Sequence, residues 1–165
     1  MRLAEVLKAH ALEGGIASPL IVSWPARLKE YAGQIRGGHC HIIDVLPTCL
    51  EAAEVAFPAS FKGNQPVQPD GTNLMAAVKG AALENCPFFW EHLGSRAVYR
   101  DGWKLVADGK KAPWKLFDLT GDPTEESDLS HQYPERAAEL KTLWMQWAKQ
   151  NNVILFESDK EQLSR

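Results

Sequence analysis

Apolar positions change their spacing along the chain, and each spacing predicts an element. Pro19-Leu20-Ile21-Val22 is a short unbroken apolar run, which predicts a strand that Trp24-Pro25 ends. Residues 26–38 are polar and flexible in character. The spacing then turns helical: Val45, Leu46, Cys49, Leu50 and Ala53 form one stripe. Asp44 stands where an N-cap carboxylate would accept first-turn amides. Pro47 falls at the third helical position, where a missing N–H costs little. Residues 57–71, rich in Pro and Gly, predict an irregular connection, and residues 74–78 a short helix. Beyond them, residues 87–92 predict an aromatic strand, and residues 96–100 and 103–106 flank Asp101-Gly102, a strong hairpin signal. Residues 115–119 supply a further strand, with Leu116 and Asp118 alternating against Phe117 and Leu119. A long helix follows, with Pro134 suited to its first position and Glu135 to its positive end. Tyr133, Ala137, Leu140, Trp144 and Trp147 make its apolar face, which predicts packing on the antiparallel sheet. Residues 153–165 end in charged, polar sequence and predict a fraying tail.

Composition narrows the function classes. At 165 residues the chain suits about one domain with a substantial core. A net charge of −3, with no run of Lys or Arg, gives no footprint for nucleic acid. No apolar stretch approaches the ~20 residues that span a bilayer, and Met1-Arg2-Leu3 leads into mixed polar sequence rather than a signal peptide. Three cysteines cannot all pair within the chain, so the redox compartment stays open.

Candidate chemistry gathers in a few places. Glu13-Gly14-Gly15-Ile16 precedes the first apolar run, and two successive glycines permit positive φ and close approach of the backbone. There Glu13 reads as fixing the turn through backbone hydrogen bonds. His39-Cys40-His41 has the residue types of a metal site but lacks the second ligand pair that zinc sites use. Glu91-His92 ends an aromatic strand just before Gly94, where strand-end loops carry functional groups. The periodicities of Trp90, Trp103, Trp114, Trp144 and Trp147 fit core burial better than a sugar-stacking set.

Four blocks, in order, resemble the sulfatase family, the arylsulfatase-like branch of the alkaline-phosphatase superfamily. Lys8 lies five residues before Glu13, as an active-site lysine does before that family's E-G-G-[IV]-x-x-P-x-[IL] junction. His41-Ile42-Ile43-Asp44-Val45-Leu46-Pro47-Thr48 looks like its H-x-x-D-[IV]-x-P-T. Phe89-Trp90-Glu91-His92, Arg96-Ala97-Val98 and Asp101-Gly102-Trp103-Lys104-Leu105 look like its F-W-E-H…R-A-[VI]-R-x-x-x-W-K-[LI]. Trp114-Lys115-Leu116-Phe117-Asp118-Leu119 with Asp122-Pro123-Thr124-Glu125 and Asp128-Leu129 looks like its [LF]-[YF]-[DN]-L-x-x-D-P-x-E-x-x-[DN]-L.

The resemblance implies an α/β fragment: the edge strand and helix of an alkaline-phosphatase-like domain, then a small antiparallel sheet on a long C-terminal helix. It assigns residues 1–56 to the end of the catalytic α/β domain, 57–82 to an irregular connection, 83–152 to the C-terminal subdomain and 153–165 to a tail. Residues 1–55 would then expose apolar surface that favours a partner or aggregation. It further implies Lys8 as a catalytic lysine and Glu91 and His92 on the substrate rim. An intact enzyme would take a sulfate ester and use Ca²⁺ and a formylglycine made from cysteine in C-x-[PA]-x-R. None of Cys40, Cys49 and Cys86 fits that motif, and no Asp-Asp or Asp-Asn dyad is present, so the chain itself should hold neither group. The expectation is a C-terminal sulfatase portion, inactive alone, partnered by the missing catalytic portion. The alternatives are a non-enzymatic truncated or partner-binding module, or a phosphate or phosphonate ester hydrolase of the same superfamily. For an intact enzyme the resemblance suggests a periplasmic, secreted or lysosomal location.

Overall fold

The computed structural model describes residues 10–83 and 87–155, so Lys8 and Cys86 lie outside the described residues. Contacts divide these residues into two compact units: 10–19 with 87–155, and 20–83.

The first unit is built on a four-stranded antiparallel meander, ordered β1 (Phe88–His92), β2 (Ser95–Arg100), β3 (Trp103–Ala107), β4 (Lys115–Asp118). Two hairpin turns set its register. Asp101 and Gly102 take φ of 54° and 83°, pairing Arg100 with Trp103. Leu93 and Gly94 take 52° and 94°, pairing His92 with Ser95. Both turns have the positive φ at both central residues that matches strand twist. Helix α5 (Pro134–Gln150) starts on Pro134 and buries Leu140, Trp144, Met145 and Ala148 against Val98, Leu105 and Leu116 of the sheet. Phe89 stacks on Trp147 at 5.0 Å, and the Trp144 indole N–H donates to the Trp90 carbonyl at 3.1 Å. The expected sheet-on-helix arrangement is present, with a broader helix face than Tyr133 to Trp147 alone: Tyr133 is exposed, while Met145 and Ala148 are buried. The start of the expected tail is also tied down, since Val153 donates to the Ala148 carbonyl and Val153 and Leu155 pack on this core.

The opposite face of the sheet carries Ala97, Val106 and Phe117, and it too is covered. Ala11 packs there, with Leu12, Trp90 and Leu119 around it. Its carrier is a strip, residues 10–16, that ends in the single helical turn α1 (Glu13–Ile16). The glycine pair therefore adopts helical rather than positive-φ backbone. Close approach is nonetheless what Gly15 provides: a Cβ there would lie 2.5 Å from the His10 carbonyl oxygen.

The second unit is mostly short turns: α2 (Pro25–Leu28), a 3-10 turn Lys29–Tyr31, another at Ile42–Asp44, α3 (Val45–Ala53) and α4 (Met75–Val78). Three expectations change here. Residues 19–22 form no strand, because a run becomes one only when a neighbour supplies the hydrogen-bond ladder, and no described strand pairs with it. Residues 26–38 contain two helical turns, one started by Pro25 at its first position. Asp44 does not cap α3 through its side chain. Instead its buried carboxylate accepts from the His41 amide and the Thr72 amide, each at 2.7 Å. Thr48 completes the tie, donating to the Asp44 carbonyl at 2.6 Å and accepting from the Leu74 amide at 2.9 Å. The helix has the expected apolar stripe, but none of its residues is buried.

Candidate functional site

The strip crosses the sheet along β3 and is pinned at both ends. Alternation places Lys104, Val106 and Asp108 in one row on the strip's face. At one end of that row, the His10 ring nitrogen Nδ1 pairs with the Asp108 carboxylate, and the Ala11 amide donates to Asp108 Oδ1 at 3.3 Å. At the other end, the Lys104 ammonium is shared by Glu13 Oε1 at 2.7 Å and Glu125 Oε1 at 2.8 Å. The Glu13 amide also donates to Glu125 Oε2 at 2.6 Å. The strip thus runs opposite in direction to β3, from Asp108 to Lys104.

The second pin is a buried charge cluster. The Lys104 side chain is 0% exposed and that of Glu125 3%. An ammonium can be held out of water only where carboxylates surround it closely, and two do. Glu125 reaches it from the Asp122-Pro123-Thr124-Glu125 turn with φ of 57°, a left-handed conformation that costs energy in a non-glycine residue. Asp122 holds that turn, accepting from the Ser127 amide at 2.9 Å and the Glu126 amide at 3.1 Å, which keeps its carboxyl below the usual range.

Asp108 is held low as well. Burial pushes its carboxyl up, but hydrogen bonds from the His10 and Ser95 side chains and the Ala11 amide outweigh that effect. The strand register adds His92, which pairs with Ser95 at this same end of the sheet. His10, Asp108, Ser95 and His92 therefore lie at one end of the sheet, His92 on the edge strand β1.

The sequence-derived site residues have different fates. His92 is exposed at that end. Glu91 points by alternation to the opposite face, toward the α5 side, and its Oε1 accepts from the Gly94 amide at 3.1 Å, closing its own turn. The turn is backed by buried Arg96, whose Nη1 donates to the Gly94 and Gly109 carbonyls, each at 3.1 Å, and whose guanidinium lies 4.8 Å from the Trp114 ring centre. Glu13, read as a turn-fixing residue, does so through a side-chain ion pair as well as its amide. Sequence reasoning missed Lys104, Glu125 and Asp108. The available signal was a lysine in strand alternation with Val106, together with two charged motif positions (Lys104, Glu125) that had no assigned role and a third, Glu13, that had only a turn-fixing one.

The donor set does not fit the metal and formylglycine of a sulfatase. Among the described residues no group of three or more His, Cys, Asp or Glu could hold a metal ion, and no cysteine of the sequence stands in C-x-[PA]-x-R. No helix among the described residues is long and apolar enough to cross a membrane.

Known proteins resemble this chain throughout most of its length. It is 31% identical over 159 residues to an uncharacterised sulfatase of Schizosaccharomyces pombe, covering 92% of this chain and 28% of that protein. An N-acetylgalactosamine-6-O-sulfatase of Bacteroides thetaiotaomicron is 26% identical over 151 residues, covering 82% and 28% respectively. Arylsulfatase K of Xenopus laevis is 28% identical over 150 residues, covering 85% and 27%. Among solved structures, Ps i-CgsB superposes with a TM-score of 0.51 at 20% identity over 73% of this chain and 27% of that one. A 2-O GAG sulfatase does so with 0.50 at 21% identity over 67% and 25%. These two likenesses show the fold. No family model matches the chain. With four ordered motifs and these relatives, the chain belongs to the sulfatase family and spans 27–28% of the length of the curated members it matches.

Proposed function

We propose that this chain is the C-terminal part of a sulfatase, a sulfuric ester hydrolase, and that it contributes Lys8 and part of the substrate rim while being inactive alone. The observation that carries the reading is the doubly pinned strip. The segment that follows Lys8 is fixed to the same sheet end that presents His92. Lys8 would offer a compact positive charge to a sulfate oxygen and stabilise charge developing on the leaving oxygen. His92, exposed at the sheet end, is the rim group suited to touch a substrate. Glu91 supports it by shaping the Leu93-Gly94 turn, its carboxylate accepting from the Gly94 amide.

The sulfatase relatives imply Ca²⁺ and a formylglycine, and both would come from outside this chain. In an intact enzyme we place residues 1–56 at the end of the catalytic domain, 57–82 in a connection and 83–152 in the C-terminal subdomain, with the strip reaching from the first into the last. Residues 20–67 support a partner there. Ile21, Ile35, Ile42 and Val67 are 76–95% exposed, apolar side chains that a partner would take out of water. The same exposed side chains support the second reading, a non-enzymatic partner-binding module. An aryl sulfate assay separates the two. The chain alone should give no turnover, and mixing or co-expression with an N-terminal sulfatase catalytic portion should restore it. Turnover by the isolated chain would overturn the reading of an incomplete enzyme, and failure of complementation would favour the binding module.

A further inference from the structure

The Lys104 cluster joins three motifs that are far apart in sequence: Glu13 of the glycine junction, Lys104 of β3 and Glu125 of the 122–125 turn. A charge buried this deeply is an expensive way to hold a surface strip if the strip's exact placement is unimportant. Apolar side chains of similar volume hold such contacts equally well or better. What an ion cluster adds is a single geometry. The ammonium has two carboxylate partners at 2.7 and 2.8 Å, and Glu125 uses its second oxygen to grip the Glu13 amide. A one-residue slip of the strip would break both contacts that Glu13 makes, its ion pair with Lys104 and its amide's hydrogen bond to Glu125, and leave Lys104 with one carboxylate in place of two. Gly15 sharpens the fit, because only a residue without a Cβ lets α1 close against the His10 carbonyl.

We propose that Lys104 is a positioning residue: with Glu125 it locks the register of strip 10–16 on the sheet, and thereby sets where the preceding lysine, Lys8, can act. The proposal rests on the catalytic reading of Lys8 above. It assigns Lys104 no contact with substrate. Its action is geometric, and a misplacement of about 1 Å at a reacting group can cost about 10²-fold in rate.

Two measurements test it. In the isolated chain, hydrogen exchange should show that Lys104→Met removes protection from the Glu13, Ile16 and Ala17 amides while those of β2 and β3 stay protected. Glu13→Gln, which removes only the strip's charge and leaves Lys104 paired with Glu125, should do the same more weakly. An unchanged strip in both variants overturns the proposal whatever Lys8 does. In the enzyme reconstituted with an N-terminal catalytic portion, Lys104→Met should lower kcat about 10²-fold with KM changed less than about twofold. Added to Lys8→Ala, it should lower kcat by no more than about twofold again, since a misplaced lysine and an absent one are nearly equivalent. Multiplying losses would mean that Lys104 acts independently of Lys8, which overturns the proposal. Full activity of Lys8→Ala alone would overturn the catalytic reading and the positional role together, while the exchange data would still report on the strip's lock.

Discussion

Lys104→Met probes the first unit's stability through a buried charge rather than through a cavity. The side chain is fully buried and ion-paired to carboxylates whose side chains are 20% and 3% exposed. Methionine matches its length, and by register its neighbours on the sheet are Tyr99 and Phe117, so cavity formation contributes little. The loss comes from leaving two carboxylates together in a dry site. Breaking one side of a buried ion pair costs about 3–5 kcal/mol. Against a typical total of about 5–15 kcal/mol this is a large fraction. With a urea slope of roughly 1–2 kcal/mol/M for a unit of this size, the midpoint should fall by about 2 M or more. Tryptophan fluorescence reads this unit well, because Trp90, Trp103, Trp114, Trp144 and Trp147 all belong to it and only Trp24 does not. The triple variant with Glu13→Gln and Glu125→Gln should recover most of the loss, since removing a whole buried cluster is often neutral. A Lys104→Met change within about 0.5 kcal/mol of the parent would refute the reasoning, for it would mean the cluster is hydrated rather than buried.

Other expectations follow from the same structure. Trp144→Ala empties the centre of the helix–sheet core and should cost about 3–5 kcal/mol in the same urea titration. Gly15→Ala, favourable in an ordinary helix, should instead destabilise strip docking by about 1–3 kcal/mol, because its Cβ meets the His10 carbonyl at 2.5 Å; hydrogen exchange at residues 11–17 would register it. Acid should weaken the first unit. Asp128 is raised by burial but lowered more by the Ser130 amide and hydroxyl and the Leu116 amide. Asp108 has the lowering described above. A carboxyl depressed in the folded state stabilises above its unfolded value, about 3.9. That contribution is lost as pH falls through the folded value, so stability should drop below about pH 4. In Asp128→Asn that acid slope should be shallower; an unaltered slope would remove Asp128 from the account.

The antiparallel sheet and its helix were legible because their signals are local. Asp101-Gly102 can hardly avoid a tight turn, and Pro134 with a three-and-four apolar spacing specifies a helix start and a buried face. Which residues beyond the stripe are buried was not legible, because Met145 and Ala148 meet β2 and β3 only once the helix is docked. The candidate site was hidden for a related reason. Strand alternation gives the face of Lys104 but not what covers it, and its partner Glu13 lies 91 residues earlier. Only the motif resemblance put both positions in one family pattern, and it did not say that they touch. Pro19-Leu20-Ile21-Val22 failed in the opposite direction. Its composition suits a strand, yet Ile21 is 87% exposed, since strand formation is a property of a pair and not of a run. Asp44 carried a correct sign for a helix start, while its carboxylate was taken by the Thr72 amide, a contact that sequence spacing of 28 residues does not suggest.

The most direct test of the account is the rate of aryl sulfate hydrolysis by the enzyme reconstituted from this chain and an N-terminal catalytic portion, with and without Lys8→Ala. Loss of one charge-stabilising group at the reacting oxygen should lower kcat by about 10²–10³-fold, as removal of an oxyanion-stabilising donor does. An unchanged rate in the Lys8→Ala enzyme would contradict it, and would leave the pinned strip without the catalytic purpose assigned to it.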